Sequence, residues 1–269
     1  MAPGPLIVIV GPTASGKTAL AIELAQKFGG EIVCADSRTV YSGMDIGTAK
    51  PTADERAEVR HHLLDVASPD EAFTAADFKE LANEAIKDIV SRGQLPIMVG
   101  GSGLYIDAVL FDYGFAPQGA ARDPKNPRHM SKSVPRPRKD LRDNTLIIGL
   151  SVPREVLRER IEGRVEAMIR HGLLEEVRHL LSKYPDSKAL DAPGYKAFRG
   201  YLAGLVSLDE AKASFVRNDL QLAKRQRTWF KRNPYIHWFD DSDEALAFVT
   251  KSLIDSKKTG KNSIIIPNP

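Results

Sequence analysis

An eight-residue glycine-rich segment near the start of the chain constrains the fold more than any other feature of the sequence. It matches the phosphate-binding loop (P-loop) pattern G-x-x-x-x-G-K-S/T in full, and its members are Gly11, Pro12, Thr13, Ala14, Ser15, Gly16, Lys17 and Thr18. A short apolar run rich in β-branched residues, 6–10, precedes it, and apolar residues with helical spacing follow it over 17–28. The sequence therefore predicts a buried parallel strand, a phosphate-binding loop and a helix in succession.

Further strands and helices are predicted to alternate along the chain. Short apolar runs predict strands at 31–35, 95–99 and 146–150, and helical spacing predicts helices over 74–92, over 153–181 as one or two helices, and over 207–232. Ser207, with Glu210 three residues later, is typical of a helix cap. These elements indicate an α/β fold, in which helices flank a P-loop-containing parallel sheet.

One segment, residues 116–144, interrupts this alternation. It contains five prolines and few large apolar residues, so we expect a reduced, irregular or helical insertion without a core of its own. We accordingly divide the chain into a P-loop α/β core of residues 1–115 and 145–255, an insertion of residues 116–144, and a flexible tail of residues 256–269.

Basic residues are concentrated in two segments of the chain. In total, 38 Lys and Arg face 35 Asp and Glu, which gives a formal net charge of +3. The segments 119–143 and 217–232 together hold 14 basic and 4 acidic residues, so the rest of the chain is acidic. This asymmetry fits a surface that binds a polyanion and equally fits two solvated faces, so charge alone does not decide between them.

The composition excludes several classes of protein. The single cysteine, Cys34, cannot form an internal disulfide or a cysteine-based metal site, and we expect it to be buried packing. No apolar run approaches the roughly 20 residues that a membrane-spanning helix needs. The start of the chain also lacks a basic region before its apolar stretch. We therefore expect a cytoplasmic protein that does not associate with membranes.

The P-loop sets the chemistry expected at the site. Backbone N–H groups and a helix N-terminus favour phosphate, Lys17 reaches the terminal phosphates, and Thr18 is placed to hold Mg²⁺. A nucleotide hydrolase also needs an acid after a later strand, but here the strand 95–99 is followed by Gly-Gly-Ser-Gly. The strand-end acid nearest to the loop in sequence is Asp36, which is predicted to face the same crevice. General base and metal-positioning carboxylate are equally good interpretations of Asp36 from the residues alone.

Five further blocks of sequence accompany the P-loop. They are Asp36-Ser-Arg-Thr-Val-Tyr41, Met44-Asp-Ile-Gly-Thr-Ala-Lys-Pro51, His61-His-Leu-Leu-Asp65, Gly100-Gly-Ser-Gly-Leu-Tyr105 and Leu222-Ala-Lys-Arg-Gln-Arg-Thr-Trp-Phe230. In this order, across residues 6–238, the blocks closely resemble those of the tRNA dimethylallyltransferase (isopentenyltransferase) family. Together they are far more specific than a P-loop alone.

The resemblance implies transfer of a five-carbon prenyl group from dimethylallyl pyrophosphate to the exocyclic N6 amine of the adenosine immediately 3′ of a tRNA anticodon. It implies that the P-loop binds the pyrophosphate, with Mg²⁺ near Thr18, and that Asp36 accepts a proton from the amine. Lys17, Thr18 and Asp36 are then the catalytic residues, and Arg164 closes over the phosphates. The alternative for Arg164 is an exposed helix residue. The implied partners are dimethylallyl pyrophosphate and the anticodon stem-loop of tRNA, and we expect a monomer.

The same resemblance implies a set of tRNA contacts. Residues along the path of the target base are Asp36, Ser37, Arg38, Thr39 and Ser102, and further contacts are Arg128, Tyr195, Lys196, Lys224, Arg225 and Arg227. The target nucleotide has to be unstacked, which is least costly for a base that already lies in a loop. Trp229 and Phe230 could stack on bases, but packing is the favoured interpretation for aromatic residues at the end of a helix.

The sequence departs from the family pattern at Thr39 and at the pair Ala192-Pro193. Thr39 stands where the family usually has glutamine, so an amide that could bind the adenine edge is replaced by a shorter hydroxyl group. Ala192-Pro193 precedes Gly194 where a branched aliphatic residue and a small residue are more usual. This second change predicts a bent loop.

The largest departure is the length of the insertion. Residues 126–130 resemble the start of the family's arginine-rich helix, but the prolines at 135 and 137 prevent that helix from continuing. Family members normally carry a longer helical insertion at this point. Residues 116–144 are therefore predicted to be a truncated, still basic version of a tRNA-binding domain. Three consequences stay open: weaker tRNA binding, folding of this segment only when tRNA binds, and compensation by another part of the protein.

Two alternatives remain open at this point. The compact size and reduced insertion fit a small-molecule kinase or a prenyltransferase that acts on a free adenine nucleotide, although the missing strand-end acid and the basic helix from Arg217 argue against it. The altered Arg38-Thr39 pair and the short insertion fit a non-catalytic RNA-binding relative.

Overall fold

The computed structural model describes residues 4–115 and 140–258, and within them all six strands of the sheet run parallel. The strands, in chain order, are β1 (Leu6–Val10), β2 (Gly30–Cys34), β3 (His61–His62), β4 (Leu95–Gly100), β5 (Thr145–Leu150) and β6 (Ile236–Phe239). Their spatial order is β3-β2-β4-β1-β5-β6. The P-loop follows β1, which lies inside the sheet with β4 on one side and β5 on the other. Parallel sheets bind ligands beyond the carboxyl ends of such strands. The predicted α/β fold is confirmed.

Helices cover both faces of the sheet. Those of the described residues are α1 (Lys17–Phe28), α2 (Ala53–Glu58), α3 (Ala75–Ser91), α4 (Gly103–Leu110), α5 (Arg154–Arg170), α6 (Leu173–Lys183), α7 (Pro193–Leu202), α8 (Leu208–Phe230) and α9 (Ser242–Lys258), with a 3₁₀ helix at Lys188–Asp191. The predicted helix over 153–181 is thus two helices, α5 and α6. The last helix, α9, ends at Lys258, three residues after the predicted end of the core at residue 255.

Alternating residues of the central strand pack on opposite faces of the sheet. Ile7 and Ile9 join a buried cluster with apolar residues of α1 and α9. Leu6, Val8 and Val10 join the other cluster, with apolar residues of α3 and α4. This two-sided burial explains why the strand sequence is apolar throughout rather than alternating, as is typical of a parallel sheet. Cys34 is buried, and burial raises the pKa of its thiol to about 12, which confirms a packing role.

Helices α5 to α8 form a third layer with its own buried cluster. The longest, α8, begins at the predicted cap, where the Ser207 hydroxyl accepts a hydrogen bond from the Glu210 backbone and the Glu210 carboxylate accepts one from the Ser207 backbone. Its first half packs in the helical layer through Phe215, and its last residue, Phe230, packs in the cluster that covers α3 and α4. Helix α8 therefore connects the helical layer rigidly to the sheet.

The end of the predicted insertion is attached to the core. The Arg142 backbone N–H donates to the Leu110 carbonyl at 2.8 Å, and the Arg142 guanidinium donates to the Gly4 carbonyl at 3.0 Å. Arg142 belongs to the basic segment 119–143, which charge alone left open between a polyanion-binding surface and a solvated face. Its guanidinium binds backbone carbonyls, and burial lowers its pKa. Residues 116–139, including the predicted tRNA contact Arg128, lie outside the described residues, as does the tail after residue 258. Over the described ranges, none of the helices is long and apolar enough to cross a membrane.

A buried carboxylate on β2 gives the folded protein a measurable dependence on pH. Glu31 is buried and forms ion pairs with Arg92 and His62. Hydrogen bonds from Arg92, which outweigh the opposing effect of burial, lower the Glu31 pKa to about 2. Because the folded pKa lies below the unfolded value, this carboxylate contributes stability above about pH 4.5 and loses that contribution as the pH falls toward 2.

We therefore expect Glu31→Gln to lower the free energy of unfolding at pH 7 by about 3 kcal/mol, since the change leaves Arg92 without its main partner. The difference from the wild type should shrink steadily between pH 4.5 and pH 2.5. Urea unfolding at several pH values measures both quantities. Glu84→Gln, an exposed change on α3, is the matched control and should have little effect at any pH. A gap between wild type and Glu31→Gln that is constant with pH would contradict the assignment.

Candidate active site

A cavity of about 920 Å³ opens at the carboxyl edge of the sheet, where loops after β1, β2 and β4 face the helical layer. Its wall contains residues 13–19 of the P-loop and α1, residues 36–39 after β2, and residues 99–103 after β4. The helical layer contributes Arg164 from α5 and, from α8, Asp219, Leu222, Arg225, Gln226 and Trp229. Segments that are far apart in the sequence therefore line one space.

Lys17 lies folded over the P-loop. Its Nζ donates hydrogen bonds to the Pro12 carbonyl at 2.5 Å and to the Ser15 hydroxyl at 3.4 Å. Burial lowers the pKa of Lys17 to about 8, with the Asp36 carboxylate acting in the opposite direction and Arg164 in the same direction as burial. Most molecules therefore carry a positive charge here at neutral pH, at the centre of a loop built to hold phosphate.

Two glycines give the P-loop its shape. Gly11 has a φ of 150°, and a Cβ at this position would lie 2.7 Å from the Leu150 carbonyl oxygen. Gly16, with a φ of 91°, is the residue before α1. The loop can therefore pass close to β5 and still deliver its N–H groups at the start of a helix.

Asp36 is held at the wall of the cavity directly after β2. The preceding residue, Ala35, continues the sheet by donating its N–H to the Val99 carbonyl at 2.7 Å. Asp36 Oδ1 accepts a hydrogen bond from the Arg38 backbone at 2.8 Å, which fixes the carboxylate in a tight turn. Asp36 lines the same cavity as Lys17, and its charge acts to raise the Lys17 pKa.

The glycines after β4 allow these segments to approach one another. A side chain at Gly100 would collide with the backbone of Ala35, and one at Gly101 would collide with the amide of Gln226. A side chain at Gly103 would collide with the indole of Trp229. The lack of an acid after this strand thus has a steric reason, since the space beside the P-loop is filled by backbone and by α8.

The residues predicted along the path of the base are brought together in the cavity wall. The Ser102 hydroxyl accepts a hydrogen bond from the Ser37 backbone at 2.8 Å, which joins the loops after β2 and β4. Arg38 donates from Nη1 to the Ala189 carbonyl at 3.3 Å and so reaches the helical layer. Thr39 is buried, and its Oγ1 is without a hydrogen-bond partner among the described residues. Their position fits the prediction, and their contact with a base stays a prediction.

Arg164 extends from α5 to the P-loop, so the alternative of an exposed helix residue is wrong. Its Nη2 donates to the Thr13 hydroxyl at 3.0 Å and to Asp219 Oδ2 at 2.5 Å. The side chain is 24% exposed, and the Asp219 side chain is 8% exposed. The Arg164 guanidinium therefore places a positive charge from the helical layer beside the P-loop.

Two polar residues of the site were not predicted from the sequence, Asp219 and Gln226. Both lie on the buried face of α8, seven residues apart. Gln226 Oε1 accepts a hydrogen bond from the Thr13 backbone at 2.8 Å, and Gln226 Nε2 donates to the Gly101 carbonyl at 3.2 Å. A signal was present, because both positions fall in register with Phe215 and Phe230 on the apolar stripe, where a polar residue needs a partner.

Tyr195 is a correction to the predicted tRNA contacts. Its side chain is fully buried, and its hydroxyl donates to Glu176 Oε1 at 2.7 Å. The same carboxylate accepts hydrogen bonds from the backbones of Asp45, Ile46 and Gly47. Tyr195 therefore packs and anchors the segment after β2 onto the helical layer, and its side chain is not available to a ligand in solution.

The bent loop expected at Ala192-Pro193 is also corrected. Pro193 is the first residue of α7, where its missing N–H and fixed φ are favourable. Gly194 instead allows a close approach, because a Cβ there would lie 2.8 Å from the Gly47 carbonyl oxygen. Pro193, one of the two residues that differ from the family pattern here, is therefore simply the first residue of a helix.

The other predicted tRNA contacts in the described residues are exposed cations. Lys196 on α7 and Lys224, Arg225 and Arg227 on α8 are exposed, and Arg225 lines the cavity. Lys224 and Arg227 are exposed on the same helix within two positions of Arg225, and we refer to these three cations below as the α8 rim (Lys224, Arg225 and Arg227).

The aromatic pair at the end of α8 packs, as favoured from the sequence. Phe230 is buried, and Trp229 donates from Nε1 to Asp107 Oδ2 at 2.7 Å. Burial raises the pKa of Asp107 to about 6, against the opposing effect of the Trp229 hydrogen bond. Trp229 nevertheless forms part of the cavity wall through its remaining surface.

Comparison with known proteins matches these features to one family. The family model described as IPP transferase matches residues 39–133 and 122–233. The tRNA dimethylallyltransferase of Desulfitobacterium hafniense strain Y51 is 39% identical over 301 residues, covering 93% of this chain and 96% of the relative. That of Geobacillus thermodenitrificans is 41% identical, covering 88% of this chain and 91% of the relative.

Solved structures agree with the sequence comparison. The full-length tRNA isopentenylpyrophosphate transferase of Bacillus halodurans superposes with a TM-score of 0.79 at 34% identity, covering 96% of this chain and 99% of that one. A eukaryotic dimethylallyltransferase described as acting on tRNA superposes with a TM-score of 0.79 at 24% identity, covering 94% of this chain and 80% of that one. The second likeness shows a shared fold.

Proposed function

The chain belongs to the IPP transferase family, and from this premise we propose that it transfers a dimethylallyl group from dimethylallyl pyrophosphate to N6 of the adenosine 3′-adjacent to the anticodon in tRNA. Its curated relatives bear the name tRNA dimethylallyltransferase. The observation that carries the proposal is one cavity lined by Lys17 and Thr18 of a P-loop, by the Asp36 carboxylate, and by the exposed cation Arg225 at its rim.

In the proposed step, N6 forms a bond to C1 of the dimethylallyl group while the bond between C1 and the pyrophosphate oxygen breaks. The electron pair of the broken bond leaves with pyrophosphate, and the N6 proton moves to the Asp36 carboxylate. An adenine amine is a weak nucleophile because its lone pair is delocalised into the ring. A carboxylate that removes the proton during attack therefore lowers the barrier.

The leaving pyrophosphate gains negative charge, and the P-loop side of the cavity supplies positive charge to meet it. Lys17 lies over the loop, and Arg164 contacts the loop through the Thr13 hydroxyl. The loop N–H groups add fixed dipoles that need no reorganisation during the reaction. This arrangement favours departure of a phosphate-type leaving group over other chemistry.

We propose Mg²⁺ as the cofactor, which Thr18 would help to hold beside the bound pyrophosphate. The described residues contain no group of three or more His, Cys, Asp or Glu that could hold a metal by themselves. Thr18 and Asp36 line the same cavity. A site with so few protein ligands fits Mg²⁺, because proteins usually bind this ion through one or two side chains together with substrate phosphates. The bound ion would neutralise charge on the pyrophosphate.

We propose that the enzyme acts as a monomer, because Lys17, Asp36 and Arg164, which the reaction needs, line one cavity within a single chain. Arg225 of the α8 rim lines the cavity that also contains Asp36, so a tRNA whose phosphates contact Arg225 would present a nucleotide to Asp36. A tRNA substrate also favours the cytoplasm as the place of action.

Mass spectrometry of tRNA tests the proposed function directly. The protein is incubated with dimethylallyl pyrophosphate, Mg²⁺ and a set of unmodified tRNAs that includes those with adenosine after the anticodon. We expect one dimethylallyl group per modified tRNA, located on that adenosine after nuclease digestion. Prenylation of free adenine nucleotides but not of tRNA would favour the small-substrate alternative, and no prenylation of either would overturn the proposal.

The α8 rim gives the proposal a separate test in binding. Replacing Lys224, Arg225 and Arg227 by alanine should weaken tRNA binding, because each lost phosphate contact removes part of the counterion release. The slope of log affinity against log salt should fall by about 0.7–0.9 per lost contact. Binding measured from about 50 to 300 mM KCl gives this slope. Lys87→Ala, an exposed change on α3, is the control and should leave the slope unchanged. An equal fall in slope for Lys87→Ala would show that tRNA does not bind specifically at the α8 rim.

A further inference from the structure

The Asp219 carboxylate lies beside the arginine that faces the P-loop. Asp219 Oδ2 accepts a hydrogen bond from Arg164 Nη2 at 2.5 Å, and the same nitrogen donates to the Thr13 hydroxyl at 3.0 Å. Both charged side chains line the cavity. The guanidinium is therefore shared between α8 and the loop that is expected to hold pyrophosphate.

Arg164 retains an unused hydrogen-bond donor in this position. Its Nε is buried and has no partner among the described residues. A buried donor without an acceptor is unfavourable, so an anion that accepts from it would be stabilised. Asp219 therefore pairs with Arg164 without satisfying all of its donors.

Charges of both signs are balanced in the cavity wall before an anion binds. The wall contains four cations, Lys17, Arg38, Arg164 and Arg225, and four carboxylates, Asp36, Glu55, Asp191 and Asp219. Arg160 also donates to the Ala14 carbonyl of the P-loop. Burial raises the pKa of Asp219, and the interaction with Arg164 acts in the opposite direction. A ligand that takes the guanidinium away would leave the buried Asp219 carboxylate without its ion-pair partner.

We propose that Asp219 competes with pyrophosphate for the Arg164 guanidinium and thereby weakens binding of the leaving group, so that the product departs after transfer. The inference rests on the proposed function, because it assumes that pyrophosphate is the ligand of the P-loop. It gives Asp219 a role in product release, through Arg164 and without contact to the reacting atoms.

A purely orienting role for Asp219 leads to the opposite result. If the carboxylate only held Arg164 in place for the anion, its removal would misplace the guanidinium and weaken pyrophosphate binding. If it competes with the anion, its removal frees the guanidinium and strengthens binding. The sign of the change in affinity therefore separates the two roles.

The test is the binding of inorganic pyrophosphate in the presence of Mg²⁺, measured by titration calorimetry. We expect Asp219→Asn to lower the dissociation constant for pyrophosphate about tenfold, because the side chain that competes with the anion for Arg164 loses its charge. Asparagine keeps the shape of the side chain and one hydrogen-bond acceptor. Asp219→Glu should stay close to the wild type because it keeps the charge. Asp209→Asn, on the same helix with its side chain 96% exposed, is the matched control and should be unchanged.

A double-mutant cycle separates competition for Arg164 from the general effect of removing a charge. In an Arg164→Gln background, Asp219→Asn should change the dissociation constant by less than about twofold. The proposal is overturned if Asp219→Asn leaves affinity unchanged or weakens it, or if it strengthens binding equally in the Arg164→Gln background. If Asp219→Asn is too unstable for calorimetry, the rise in melting temperature that pyrophosphate causes reports the same change in affinity.

Turnover measurements distinguish failure of this inference from failure of the proposed function. Asp219→Asn should show stronger inhibition by added pyrophosphate and a lower kcat, without a rise in KM for the prenyl donor. If the wild type prenylates tRNA and Asp219→Asn does not bind pyrophosphate more tightly, only the inference is wrong. If the wild type binds no pyrophosphate at all, both are wrong.

Discussion

Replacing Asp36 by asparagine should lower the rate of prenyl transfer by roughly 10²–10⁴-fold, the range that a positioned general base contributes. Asparagine is nearly isosteric and its Oδ1 can still accept the hydrogen bond from the Arg38 backbone, so the turn after β2 should persist. What it loses is the ability to take the N6 proton. Single-turnover transfer with saturating dimethylallyl pyrophosphate measures this loss without interference from product release.

Pyrophosphate binding by the same variant decides between the two roles that the sequence left open for Asp36. A general base is not needed to bind the leaving group, so the affinity of Asp36→Asn for pyrophosphate should equal or exceed that of the wild type. Loss of pyrophosphate binding together with activity would instead support a role in positioning the metal. Asp186→Asn, an exposed change after α6, is the control and should match the wild type in both assays.

The main chain of the site was predictable because its signals are local. The apolar run Leu6–Val10 and the P-loop after it carry strand, turn and helix information within consecutive residues, and the structure places all three where expected. The two short outer strands, β3 and β6, were not predicted. The two residues of β3 are too few to show a period, and they pair only because β2 presents a free edge.

The side-chain partners of the site could not be predicted, because they join helices that are distant in the sequence. The spacing of α8 placed Asp219 and Gln226 on its buried face, but nothing in the sequence showed that the facing groups would be Arg164 and the Thr13 backbone. The same limit explains the error at Tyr195. A motif position suggested a ligand contact, and the hydroxyl is instead paired with Glu176.

The glycines after β4 illustrate how a sequence feature can be noticed and still be interpreted incompletely. The sequence showed that no acid follows this strand, which argued against an ordinary nucleotide hydrolase. The structure adds the physical reason, since the Cβ of any other residue at Gly100 would overlap the backbone that leads into Asp36. The missing acid and the position of the Asp36 carboxylate are therefore two consequences of one close packing.

Replacing Lys17 by methionine should raise the dissociation constant for pyrophosphate and lower the rate of transfer, each by roughly 10²–10³-fold, as expected for loss of a preorganised charge at the leaving group. Methionine keeps the length of the stem and removes the ammonium that lies over the loop, so the loss is mainly electrostatic. Lys27→Met, an exposed change in the last turn of the same helix, is the matched control and should bind as the wild type does. Equal losses in the two variants would indicate a defect of α1 and not of the phosphate site.

The pH dependence of binding then identifies the ammonium itself. Because burial lowers the pKa of Lys17 to about 8 and pyrophosphate binds the protonated form, wild-type affinity should fall as the pH rises through 8. Lys17→Met has no proton to lose at this position, so the ratio of its dissociation constant to that of the wild type should shrink between pH 7 and pH 9.5. Measuring this ratio cancels the ionisation of pyrophosphate, which is common to both proteins. A ratio that stays constant over this range would show that the charge of Lys17 does not contribute to binding.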